Sequence, residues 1–171
     1  MDKPLINRVA NSGFITINLE DFFPAEELVV FDLKDYLFME LILKEKDFRQ
    51  ALKEHDWAQY EGKILVIHCS TDAIIPVWAY MLVTAYAEPF AEKLFQGDAD
   101  TFYKLAFMEA LNEIDASQYD QRRIVIKGCS DKPVPPSAYV ELTRKLRPYA
   151  QSIMYGEPCS TVPIFKRPRK K

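Results

Sequence analysis

The sequence predicts an α/β protein with a largely parallel sheet, built from two duplicated βαβ units, flanked by helices, with the N-terminal strands added at an edge. Three observations carry that prediction. Short apolar strand patterns alternate with helical patterns from residue 43 to 156. Two stretches of the second half match each other. No linker rich in Pro, Gly and Ser divides the chain.

Taken in order, "GFITINL" (13–19) alternates and is rich in β-branched and aromatic residues, so it reads as a strand. "ELVVFDL" (27–33) reads as a second strand, and the two are expected to form an antiparallel edge. The stretch 43–63 reads as one amphipathic helix, with Leu43, Phe48, Leu52 and Trp57 on its apolar face and His55 at the surface. "ILVI" (64–67) is a buried strand, and a helix follows over 72–87. "KLFQG" (93–97) is a strand, 100–114 a helix, "RIVIKG" (123–128) a strand, 135–146 a helix and "SIMYG" (152–156) the last strand.

The internal match sets 64–97 against 124–156, with Thr71 inserted. Ile64 pairs with Ile124, Cys69 with Cys129, Ser70 with Ser130 and Asp72 with Asp131. Pro76 and Pro135, Tyr80 and Tyr139, Thr84 and Thr143, and Gly97 and Gly156 extend it. Each copy reads strand, Cys-Ser loop, proline-started helix, strand.

Length and composition predict one α/β domain over 1–165, followed by a basic disordered tail at 166–171. Five of the 22 basic residues lie in that tail, "KRPRKK", so the body is more acidic than the net charge of −3. An acidic body argues against nucleic acid as a partner. No secretory pattern opens the sequence, and its longest apolar stretch, "AIIPVWAYMLV", is too short to span a bilayer. The expectation is a cytoplasmic protein with no membrane contact. No glycine-rich phosphate loop occurs, and two histidines without G-x-S-x-G argue against a Ser-His-Asp hydrolase.

All three cysteines, Cys69, Cys129 and Cys159, are followed by a small polar residue and lie beyond a predicted strand. In a parallel sheet they share the carboxyl edge, where α/β proteins bind ligands. First strands of equivalent halves, side by side at about 4.8 Å, would let Cys69 and Cys129 share a metal or substrate. His68 is a further candidate ligand. Ser70, Asp72, Ser130 and Asp131 are supporting polar residues, and helix capping is the favoured role of the two aspartates.

The stretches "DAIIPVWAYM", "VIKGCSDKPVP" and "YGEPCSTVPIFKR", together with "LKEKDFRQALKEHDWAQY", resemble a bacterial family designated only as domain of unknown function 2480. The resemblance covers nearly the whole chain and brings no established activity. Genes of that family often neighbour iron–sulfur cluster assembly genes, so the resemblance implies cysteine chemistry, with iron–sulfur assembly proteins as partners. The combined expectation is a cysteine-based site holding zinc or an iron–sulfur cluster, which would assist cluster assembly or transfer. Alternatives are a thiol-dependent enzyme or persulfide carrier, and a non-catalytic interaction protein.

Overall fold

A computed structural model describes residues 13–128, 131–157 and 159–168. Its residues form two compact units. One is inserted, Pro24–Tyr103; the other is split, made of the residues up to Phe23 and those from Lys104 onward.

The inserted unit carries β2 (Leu28–Asp32), α1 (Glu45–Glu54), β3 (Ile64–His68), α2 (Val77–Ala87) and β4 (Lys93–Gln96). The split unit carries β1 (Phe14–Asn18), β5 (Arg123–Lys127), α4 (Pro136–Leu146), β6 (Ser152–Glu157) and β7 (Ser160–Lys166). The boundary falls within α3 (Ala99–Asn112).

The fold is mixed α/β, but with two sheets where one was expected. Strand order is β2-β3-β4 in the inserted unit and β1-β5-β6-β7 in the split unit. All pairs are parallel except β6 with β7. β1 and β2 therefore lie at parallel edges of different sheets and do not form an antiparallel pair. β3 has β2 and β4 as its sheet neighbours, and β5 belongs to the other sheet.

Burial explains each middle strand. Ile64, Leu65, Val66 and Ile67 of β3 are buried in succession, as are Ile124, Val125 and Ile126 of β5. A strand covered on both faces reads as a continuous apolar run. The crossover helices bury one small stripe each, Ala79, Val83 and Ala87 on α2 and Ala138, Leu142 and Leu146 on α4. Alanine at the first position lets each helix approach its sheet closely. Each unit has a hydrophobic cluster of its own: Phe31, Phe48, Leu52, Leu65 and Val83 in one, Ile17, Phe107, Leu111, Ile124 and Leu142 in the other.

The amphipathic segment 43–63 is not one helix. α1 ends at Glu54, and Trp57–Tyr60 form a separate 3-10 turn. Trp57 is still buried, with its indole N–H donating to the Leu52 carbonyl at 2.8 Å. His55 is half-buried, not a surface residue: Phe31 and Trp57 pack against its ring.

Lys166 and Arg167, expected in a disordered tail, are tied to the split unit. Lys166 ends β7, and the Arg167 N–H donates to the Gln151 carbonyl at 2.8 Å. Residues 169–171 lie outside the described residues.

Candidate functional site

The two units end their strands in related ways. In the inserted unit, Asp32 closes β2 and β3 closes at His68 beside it. The Asp32 carboxylate accepts from the Lys34 N–H at 2.9 Å and the Ser70 N–H at 3.0 Å. Burial works to raise its pKa, but hydrogen bonds from Ser70 and Lys34, with the nearby His68, hold it below the ordinary carboxylate value. His68 Nε2 stands 3.8 Å from the other Asp32 oxygen. Cys69 packs against the core of its unit, and its Sγ lies 3.3 Å from the Thr71 hydroxyl. His68 and Cys69 are successive residues leaving a strand. Asp32 engages the first and Thr71 the second, which leaves them with separate partners.

Neither aspartate caps a helix. Asp72 is exposed, and the N-cap of α2 is Pro76, with no side-chain cap. Asp131 is likewise exposed, and Pro135 holds that position on α4. Pro76 and Pro135, both with extended backbone, stand between each aspartate and the helix that follows it. The Asp131 backbone N–H donates instead to Glu20 Oε1 at 3.1 Å.

In the split unit, β5 ends at Lys127 and β6 at Glu157, with Lys127 Nζ 3.3 Å from Glu157 Oε1. Gly128 follows β5 at φ 147°, and a Cβ there would lie 2.9 Å from the Leu19 Cβ and 3.2 Å from its backbone nitrogen. Only glycine fits so close a backbone approach. The Tyr139 hydroxyl donates to the Gly128 carbonyl. Cys159 is an exposed, free thiol in the tight connection between β6 and antiparallel β7. Cys129 and Ser130 lie outside the described residues.

A cleft of about 800 Å³ opens in the split unit between this strand edge and α4, bordered by Gly128, Tyr139, Met154, Tyr155 and Ile164. Tyr139 packs against the core of its unit and also lines this cleft, which the sequence reading missed. One wall belongs to β7, which the sequence reading also missed. Among the described residues, no three His, Cys, Asp or Glu side chains group closely enough to hold a metal ion.

A mixed α/β protein with strand-end thiols and an apolar cleft is the class that fold and site define. The chain belongs to the family described as Protein of unknown function (DUF2480), whose model matches residues 3–167. No curated protein and no solved structure matches it. None of its helices is long and apolar enough to cross a membrane, among the described residues.

Proposed function

We propose that the protein acts through a pair of thiols, Cys129 and Cys159, at the carboxyl edge of the split unit's sheet, as a thiol-dependent carrier of sulfur. One observation supports this above all. Lys127 and Glu157, in contact at 3.3 Å, end the parallel neighbours β5 and β6. Each is followed two residues later in the sequence by a cysteine. On this reading the pair is Cys129 and Cys159, in place of the expected Cys69 and Cys129. Cys69 is the only cysteine of its unit.

A thiolate of the pair would take sulfur from a persulfide donor, R–S–SH, to give Cys–S–SH and the free donor thiolate. Attack by the second thiolate on the protein-bound sulfur would then form a disulfide and release HS⁻, with electrons conserved. Dibromobimane, which fluoresces once both its arms have alkylated thiols, tests the pair. Bridging should occur in the wild type and in Cys69→Ser, and be lost in Cys129→Ser and Cys159→Ser. Equal bridging in all four proteins, or in none, would sink the reading.

A second reading keeps zinc or an iron–sulfur cluster, held by Cys129 and Cys159 with the remaining positions filled by an assembly partner. The exposure of Cys159 favours it, since a partner's group can reach that thiol. Cys69 and His68 belong to the inserted unit and are not needed in this version. Anaerobic incubation with iron and sulfide should yield a coloured protein that Cys129→Ser abolishes. A colourless wild type would exclude the cluster. Free thiols suit a reducing compartment, consistent with a cytoplasmic location.

We also infer that the units descend from one duplicated βαβ ancestor. Matching hydrogen bonds recur at a constant interval: Gly62 N–H to Phe90 O and Gln121 N–H to Tyr149 O, then Glu92 N–H to Lys63 O and Gln151 N–H to Arg122 O. The N-terminal strands end alike: the Asn18 side chain accepts from the Glu20 N–H as Asp32 does from that of Lys34. Ile64 faces Lys93 and Arg123 faces Ser152, so the ladders pair Ile64 with Arg123. In that register Cys69 corresponds to Gly128, one residue short of the Cys129 that sequence identity suggests.

A further inference from the structure

We propose that the cleft of the split unit binds an uncharged, ring-bearing apolar small molecule. Its volume, about 800 Å³, suits a compact organic ligand. Ile126, Val134, Met154 and Ile164 supply aliphatic wall. Tyr139 and Tyr155 stand edge to face, with centroids 5.8 Å apart and planes at 75°. The Tyr139 hydroxyl is engaged by the Gly128 carbonyl, so what that residue offers a ligand is its ring. Tyr155 and Ile164 are 36% and 52% exposed, apolar surface that a ligand would remove from water.

Charge selects against ions. The two charged residues of the lining, Asp131 and Lys132, are adjacent, exposed and opposite in sign. Neither an anion nor a cation gains a net field there, and neither residue is buried enough to hold an ion out of water.

The inserted unit supplies an internal comparison. A hollow of about 770 Å³ lies along α2, where Val77, Tyr80, Thr84 and Gln96 stand as Pro136, Tyr139, Thr143 and Tyr155 stand along α4. Gln96 there replaces the second ring, Glu88 brings an unbalanced charge to the lining, and β4 ends its sheet with no counterpart of β7. The ring-binding features are thus specific to the split unit.

N-phenyl-1-naphthylamine, an uncharged fluorescent ring compound, is the probe, and 1-anilinonaphthalene-8-sulfonate is its anionic comparator. Saturable, blue-shifted emission is expected with the full chain, binding the uncharged dye at least five-fold tighter than the sulfonate. Tyr155→Ser and Ile164→Lys should each weaken it at least five-fold. Tyr155→Phe and the α2 variant Met81→Ser should leave it unchanged. Ile164 is exposed, so its variant tests the cleft even if Tyr155→Ser fails to fold. The proposal is overturned by an absence of saturable binding, by Ile164→Lys binding like the wild type, by a loss that follows Met81→Ser, or by tighter binding of the sulfonate. The dye reports the cleft and bimane the thiols, so either inference can fail alone.

Discussion

His55 shows how far one residue's setting can depart from its place in a pattern. Its Nε2 lies 2.8 Å from the Tyr60 hydroxyl and its Nδ1 3.3 Å from that of Tyr36. The Tyr60 ring stacks on it, and the Phe31 and Trp57 rings pack around it. Burial pushes Tyr36 up to about 12, with Tyr60 and Asp35 adding to the rise, so it stays a neutral phenol. Burial likewise lowers the His55 pKa from its usual 6.5, against a smaller upward pull from Asp56. The folded state then binds fewer protons than the unfolded state just below that value. The stability due to neutral His55 is therefore complete above the unfolded pKa and is lost as pH falls through the window down to the folded one. Between about pH 7 and pH 5.5 the melting temperature should fall, and His55→Gln should flatten that slope. An unchanged slope in the variant would assign the pH dependence to other groups. Helical periodicity placed His55 outside because the segment was read as continuous. The chain leaves the helix at His55, whose backbone is extended, and that turn swings the imidazole inward.

At the scale of elements, most strands and helices were legible; the main departures in their limits are the segment 43–63, whose helix stops at Glu54, and the helix expected from 72, which starts at Val77 after Pro76. β7 is the strand the sequence reading missed. Pro163 within "STVPIFK" argues against a strand interior, because proline cannot donate to a ladder. The structure resolves this by making β7 an edge strand, with a register irregularity opposite Ile153 and Met154. The tight β6–β7 connection depends on Gly156, whose φ is 115° and whose added Cβ would sit 2.7 Å from the Ser160 carbonyl oxygen. Gly156→Ala should destabilise the protein by roughly 1–3 kcal/mol in urea unfolding, from left-handed strain and that clash. It should also reduce bimane bridging, because Cys159 lies in that connection. A variant as stable as the wild type would mean that the hairpin relaxes at no cost.

The whole molecule is organised by nesting, one unit inserted in the sequence of another. Each hydrophobic cluster draws on residues of its own unit alone. A fragment spanning Pro24–Tyr103 should therefore unfold cooperatively in urea, with its aromatic cluster around Trp57 intact by near-ultraviolet circular dichroism. Gradual, featureless unfolding would show that its core needs the rest of the chain. The split unit cannot be cut out as one piece, since β1 and β5, paired residue by residue, lie on opposite sides of the insertion. By itself the sequence determined the alternation of strands and helices, the continuous burial of β3 and β5, and the placing of every cysteine after a strand. Those features follow from local periodicity and from apolar runs, which a chain carries whatever its partners. Only the tertiary structure decided that the strands divide between two sheets, that β1 adjoins β5, and that a cleft opens beside β5 and β6. Strand neighbours are chosen by contacts between residues remote in sequence, and no local pattern records which remote strand supplies them.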